Sequence, residues 1–345
     1  MTALRWAATA ACAVMAALVM QSIRAPLPWM IGPLLCFALA NALGLRVPVP
    51  TPLRFGGQWL VGAALGLYFT FEVMRHVSSQ GLWIALAVLM SLMVSALSAQ
   101  VLIRVGGSDP ATAFFASSVG GAAEMANQAE LHGARVDRVA AAQVVRVLMV
   151  VLIVPFAYKA AGLQGEDVYT PARVSFEWSG LALLLMLAGA AGLLAKLCSV
   201  PNGWLFGPLL VSALLTASGH PPSSVPAWVV NTGQFLIGIS LGARFAPEFF
   251  RESPRFMLGV AISGGLLMLG CGCIGLAVAT ASGMPWPTML LATAPGGLAE
   301  MGLTAKALQL GVPVVTAFHM ARLAAVVLSA GPAYRLLAKY NLRRR

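Results

Sequence analysis

Long apolar runs alternate with short breaks along this chain. The runs fall at about 5–22, 28–44, 55–74, 81–103, 110–130 and 137–158, and again at about 178–197, 203–218, 227–246, 255–280, 286–307 and 313–338. Most are close to the ~20 apolar residues a helix needs to cross a bilayer. The breaks carry helix-stopping residues: Pro26 and Pro28, Pro48 to Pro52, Gly106 to Pro110, Gly162 to Pro171, and Pro221 to Pro226. This pattern predicts an all-α polytopic membrane protein. Residues 4–20 resemble a signal peptide, with one Arg, an apolar run and then small residues. Residues 180–197 supply their counterpart later in the chain, so they are read as the first helix.

The two sets of six runs are copies of one another, offset by 175–176 positions. P-W-M-I-G-P-L-L at 28–35 matches G-W-L-F-G-P-L-L at 203–210 at five of eight positions. G-Q-W-L-V-G-A-A-L-G-L-Y-F-T-F-E at 57–72 matches G-Q-F-L-I-G-I-S-L-G-A-R-F-A-P-E at 233–248 at eight of sixteen. V-G-G-A-A-E-M at 119–125 matches P-G-G-L-A-E-M at 295–301, and Arg146 matches Arg322. Internal duplication is the common ground plan of secondary transporters. The expected organisation is a first membrane repeat over 1–161, a linker loop over 162–177 holding Glu166, Asp167 and Glu177, and a second repeat over 178–345.

Charge decides how the segments run. If all twelve cross, basic residues divide almost evenly between the two sides. If 110–130 and 286–307 each enter and leave on one side, fifteen Lys and Arg fall inside and four outside, leaving aside Arg146, Lys306 and Arg322 within segments. Basic loops prefer the cytoplasm. The expectation is therefore two homologous, inverted halves of about five crossings, each with one re-entrant or broken helix. The C-terminal Arg343, Arg344 and Arg345 would be cytoplasmic, in a bacterial inner membrane.

Composition agrees. The chain is 59% hydrophobic and 10% charged, against about 25% charged in soluble proteins. The net charge of +11 comes mostly from single residues at the ends of apolar runs, which is membrane-face placement and not a nucleic-acid patch. The five cysteines, Cys12, Cys36, Cys198, Cys271 and Cys273, all lie in apolar runs and read as small buried residues. The four histidines share no metal-binding spacing. No phosphate-binding G-x-x-x-x-G-K-[ST] loop occurs.

The candidate chemistry lies in the repeated Gly-Gly-x-x-Glu-Met. Two adjacent glycines weaken a helix, and an acid in a membrane segment is a functional candidate. Glu124 and Glu300 could carry a proton, ligate Na⁺ or receive a cationic group. Gly120, Gly121, Gly296 and Gly297 would expose backbone groups to a cavity. Arg146 lies eight residues beyond Arg138, about 12 Å into the membrane. It and Arg322 could bind an anionic solute, or each could pair with the Glu of its own half. Asn127 and Thr304, just past the acids, are weaker candidates for cation ligands. Gln58 and Gln234 open matching helices and suit inter-helix hydrogen bonds. Gly62/Gly66 and Gly238/Gly242 form G-x-x-x-G, a close-packing spacing. Trp29 and Trp204, each before a Gly-Pro, suggest a kink or a short helix.

The paired W-x-x-G-P-L-L, G-Q-x-L-x-G-x-x-L-G and G-G-x-x-E-M motifs resemble the bacterial AbrB-type membrane protein family, with its duplicated domain. The resemblance covers roughly residues 10–335. Members carry labels such as ammonia monooxygenase or regulator of gene expression, and the family looks like a distant relative of inverted-repeat cation/proton antiporter and anion-transporter folds. The resemblance implies transport.

An oxygenase would need a metal set of His and carboxylate, which the scattered histidines do not offer. The expectation is no enzyme, no metal and no cofactor. A DNA-binding regulator would need a soluble basic module, which the sequence lacks. The function expected is secondary transport of a small anionic or zwitterionic solute coupled to protons or Na⁺. The alternative is a membrane-embedded regulatory protein that transports nothing. Expected partners are the lipid bilayer, the solute, the coupling ion and a second copy in a homodimer, with no nucleic acid.

Overall fold

The computed structural model describes residues 2–45, 47–163, 165, 174–245 and 253–342, with backbone alone at 2–4, 123 and 337–342. Most of the expected linker, including Glu166 and Asp167, lies outside these residues, as do Arg46, Arg173, Glu248, Arg251 and Arg343 to Arg345.

Among the described residues every regular element is a helix. The helices are α1 (Thr2–Ser22), α2 (Pro28–Ala42), α3 (Thr51–Gly66), α4 (Phe71–Ser79), α5 (Gly81–Arg104), α6 (Pro110–Ser117), α7 (Ala122–Leu131) and α8 (Val136–Ala160). The second half gives α9 (Trp178–Leu197), α10 (Gly203–Ala217), α11 (Ala227–Gly242), α12 (Pro254–Ser282), α13 (Trp286–Thr293), α14 (Leu298–Leu308) and α15 (Val312–Leu342). Within α5, α8, α9, α12 and α15 lie spans long and apolar enough to cross a membrane.

Proline sets several of the starts. Pro28, Pro52, Pro110, Pro254 and Pro287 occupy first-turn positions, where a missing N–H is harmless. The predicted run 55–74 is two elements, because α3 ends at Gly66 and Thr70 caps a separate α4. The Thr70 hydroxyl accepts from the Val73 N–H at 3.4 Å, and Glu72, Arg75 and His76 make α4 too polar to continue a span. The runs 110–130 and 286–307 are each broken, at 118–121 and 294–297.

Burial follows the logic of lipid. Helix α5 buries Ser91, Ser95 and Ser98 and exposes Leu82, Leu86, Leu89, Met93 and Leu97. Apolar side chains outside and hydroxyls inside would be unstable in water, and they are what a bilayer favours. The chain is an all-α polytopic membrane protein.

The helices pack into two compact units, and each unit draws on both halves of the sequence. One contains residues 1–80, 151–246 and 299–315; the other contains 81–150, 247–298 and 316–345.

The first unit is built by a reciprocal exchange. A Cβ at Gly62 of α3 would lie 2.6 Å from the Leu205 carbonyl of α10, and one at Gly66 would lie 2.5 Å from that of Leu209. In the same way Gly238 and Gly242 of α11 press against the carbonyls of Met30 and Leu34 on α2. So the G-x-x-x-G of each half docks on the W-x-x-G-P-L-L helix of the other. That helix is short in both copies, at 15 residues. Asn41 fastens the end of α2: its Nδ2 donates to the Ala243 and Phe245 carbonyls at 2.9 and 3.3 Å, and its Oδ1 accepts from Val47 N–H at 3.1 Å. Helices α3 and α11 occupy equivalent places in the two halves, yet they cross antiparallel, with Gly57 against Leu236 and Ile237 and Gly233 against Leu60 and Val61.

In the second unit α5 and α12, again equivalents, also run antiparallel. Gly106 abuts Gly259 and Val94 abuts Gly270. The ends of several elements gather here: Arg255 Nε donates to the Val105 carbonyl at 3.0 Å, and Arg138 lies over the Phe256 ring at 5.2 Å.

Candidate functional site

The first Gly-Gly segment folds back on itself. Asp109 caps α6, accepting from the Thr112 N–H at 2.8 Å, and the Thr112 hydroxyl accepts from the Arg135 N–H at 2.9 Å. The start of α6 and the end of α7 therefore lie side by side, which makes α6, the break and α7 a hairpin. The His132 and Phe115 rings meet across it at 5.4 Å, tilted by 39°. At 1.5 Å per residue, eight-residue α6 carries the break about 12 Å from its start.

A break at that depth leaves carbonyls at the end of α6 and N–H groups at the start of α7 without helical partners. Side chains from α8 serve the carbonyls. Arg146, 5% exposed, donates from Nη1 to the Ser118 carbonyl at 2.6 Å and from Nη2 to that of Gly120 at 3.2 Å. One turn earlier, the Gln143 Nε2 donates to the carbonyls of Phe115, Ala116 and Ser118 at 2.9, 3.2 and 3.0 Å. The guanidinium thus sits at the negative end of the α6 dipole. Glu124 lies in the first turn of α7, the positive end, with its carboxylate folded over Gly121 so that any side chain there would overlap it.

The second copy repeats the arrangement. Arg322 of α15, also 5% exposed, donates from Nη1 to the Thr293 and Ala294 carbonyls at 3.3 and 2.7 Å, and from Nη2 to Gly296 at 2.7 Å. Gly296 is buried and Gly297 half-buried. Glu300 lies in the first turn of α14, with Arg54 and Arg244 as the cations that act on it.

The partners of Arg146 and Arg322 are backbone carbonyls, and among the described residues neither forms an ion pair with a Glu. Of the two readings the sequence leaves open, anion site or Glu–Arg pair, the pair is not formed among the described residues; each guanidinium serves the carbonyl end of its broken helix. Arg146 and Arg322 also act on one another electrostatically, with Cys271 near both. Their Nε atoms are buried and have no hydrogen-bond partner among the described residues. The cavities beside them are small, about 10 Å³ each.

The remaining candidates divide. The Thr304 hydroxyl is buried and donates to the Glu300 carbonyl at 2.8 Å, and Asn127 is exposed. Gln58 Nε2 reaches Asn202 Oδ1 at 3.4 Å. Gln234 is 8% exposed, and among the described residues its Oε1 has no partner. Sequence reasoning missed the work of Gln143 and of Asn41. For Gln143 the signal was its place beside Arg146, three residues before it on the same helix face. Asn41, alone in its run, had none.

Comparison with known proteins extends the picture. Residues 29–338 match the family described as transition state regulatory protein AbrB. The chain is 26% identical over 335 residues to "Uncharacterized protein YhjN" of Bacillus subtilis, covering 90% of this chain and 87% of that one. It is 23% identical over 350 residues to "Putative regulator AbrB" of Escherichia coli, covering 100% of this chain and 99% of that one.

Proposed function

We propose, from the premise that the chain belongs to the AbrB family, that it is a secondary transporter of a small anionic or zwitterionic solute. The observation that carries this reading is the hairpin of α6 and α7, whose non-helical apex is braced by a buried guanidinium; the reading puts that apex at membrane depth. The same brace recurs at the α13–α14 break. Irregular backbone at that depth is tolerated only against protein or a wet cavity. Broken helices whose ends face a polar site are the working parts of secondary transporters.

In this reading Glu124 and Glu300 carry the coupling proton or Na⁺. They stand where the unpaired N–H groups of α7 and α14 point and where an ion's arrival would be felt by the helix ends. Arg146 and Arg322 hold the two breaks in shape, since their Nη atoms are already engaged by carbonyls. The antiparallel crossing of α3 with α11 and of α5 with α12 supports halves of inverted topology. Arg104, Arg135, Arg138 and Arg255 then share the cytoplasmic face of a bacterial plasma membrane, with the C-terminus on that side.

The test uses protein reconstituted in liposomes with a pH-sensitive dye or ²²Na⁺ inside. Lactate, succinate or alanine added outside should drive proton or Na⁺ movement. Glu124→Gln with Glu300→Gln should abolish it while the protein remains folded. Full movement in the double variant, or none in the unmodified protein with any of the three, would overturn the proposal.

A further inference from the structure

The first compact unit contains a cavity of about 220 Å³ between α11 and α14. At ~30 Å³ per water it has room for about seven. The spaces beside the two buried arginines, at about 10 Å³, have room for one. Val230 and Leu303 make part of its wall apolar, and three polar side chains converge on it: Asn231 and Gln234 from α11 and Lys306 from α14.

One of these groups is a cation and one is an unsatisfied amide. Lys306 is half-buried; its Nζ lies 5.9 Å from the Tyr68 ring centroid, and among the described residues no carboxylate lines the cavity. Gln234 is 8% exposed, with an amide oxygen that meets no donor among the described residues. The two ends of an amide are interchangeable by a flip, so Gln234 can equally present its NH₂. A half-buried cation beside an unpaired amide leaves hydrogen-bonding and charge capacity unused by the protein. That capacity suits a ligand that accepts hydrogen bonds and carries negative charge.

The duplication supplies an internal control. At the equivalent places of the first half stand Phe55, Gln58 and Glu130. Gln58 is engaged by Asn202, and Glu130 is exposed. The cation and the orphan amide belong to the second half alone, so they are not a packing device inherited by both copies.

We propose that this cavity binds the carboxylate of a small organic acid, with Lys306 opposing its charge and the amides of Asn231 and Gln234 donating to its oxygens. Its volume admits an acid of roughly three or four carbons. The proposal rests on the transporter reading for the purpose of the site and stands apart from it in chemistry. The phosphate of an anionic lipid shares the oxyanion chemistry, and the experiment separates the two.

Full-length protein in detergent is melted in the presence of lactate, succinate, inorganic phosphate or dioleoylphosphatidylglycerol, against NaCl at equal ionic strength. Lactate or succinate at 100-fold its Kd should raise Tm by about 5 °C. Lys306→Met should abolish the shift, Gln234→Leu should reduce it, and Lys306→Arg should keep part of it. If Lys306→Met does not purify as a monodisperse protein, Asn231→Asp takes its place, because a carboxylate in the cavity repels the ligand. The proposal is overturned if neither carboxylate shifts Tm, if the shift survives these variants, or if only phosphate or lipid produces it. A carboxylate shift lost in Lys306→Met from protein that moves no ions in liposomes sinks the transporter reading and leaves the site. Carboxylate-driven ion movement untouched by Lys306→Met does the reverse.

Discussion

Arg146 and Arg322 stand 176 positions apart and hold their breaks with the same atoms. Nη1 of each donates to the carbonyl two residues before the first glycine of its Gly-Gly pair, Ser118 or Ala294, and Nη2 to that glycine, Gly120 or Gly296. A contact preserved atom for atom through a duplication ties each guanidinium to the geometry of its break.

Replacing either arginine should therefore cost stability. Arg146→Met leaves the Gly120 carbonyl without its donor, while Ser118 keeps Gln143. An unsatisfied buried carbonyl costs about 1–3 kcal/mol, and Gly120, which is partly buried, falls toward the lower end. A fall in Tm of about 5 °C is expected in detergent, with Arg146→Lys intermediate because a single ammonium cannot reach both carbonyls as a fork does. A Tm within 1 °C or so of the unmodified protein would argue against the brace.

Gly121→Ala should separate folding from coupling. The new methyl would overlap only the Glu124 carboxylate, which can swing away at a cost of about 0.5–1.5 kcal/mol. The variant should fold, and its solute-driven ion movement in liposomes should drop by about tenfold or more. Unchanged movement would show that the folded-back position of Glu124 does not matter.

The close docking of α3 on α10 makes its glycines intolerant. Gly62→Val and Gly66→Val drive a side chain into backbone, which cannot yield as a flexible side chain can. A loss of about 3 kcal/mol or failure to accumulate is expected, and Gly238→Val and Gly242→Val should match them. A Val variant that melts normally would mean that the helices can part cheaply.

Asn41→Leu removes both hydrogen-bond donors to the end of α11 and the acceptor for Val47 N–H. It should cost about 2–4 kcal/mol, read as loss of thermal stability. A second measurement fixes topology: reporters fused after Gly107 and after Gly133 should report the same side of the membrane. Opposite sides would contradict the hairpin that Thr112 and Arg135 close.

Much of this was legible in the chain. Apolar runs bounded by Pro and Gly located the spans, because lipid demands long uninterrupted apolar helices and says so in composition. The duplication was legible because the motifs that repeat are contact motifs: Gly238 is glycine for the same reason that Gly62 is. The broken helices could be read from Gly120-Gly121 and Gly296-Gly297. The partner of Arg146 could not, since backbone carbonyls are the same in every sequence and only the fold says which are orphaned. Neither could Lys306 and Gln234, which are 72 residues apart and meet at a cavity that the hydropathy pattern does not encode. The end of α3 at Gly66 was missed because Leu67, Tyr68 and Phe69 continue the apolar run while the capping Thr70 breaks it.

The crosswise seating of each glycine motif on the other copy's proline helix has a consequence for how the molecule can arise. Neither half alone can complete the first unit, for each would be left with a bare ridge of glycines and an unclad Leu-Leu shoulder. Cut between the repeats, the gene should yield two fragments that are each degraded when made singly and that rescue one another when made together. The ancestor from which the duplication began, having one copy of each surface, would have had to find its complement in a sister chain.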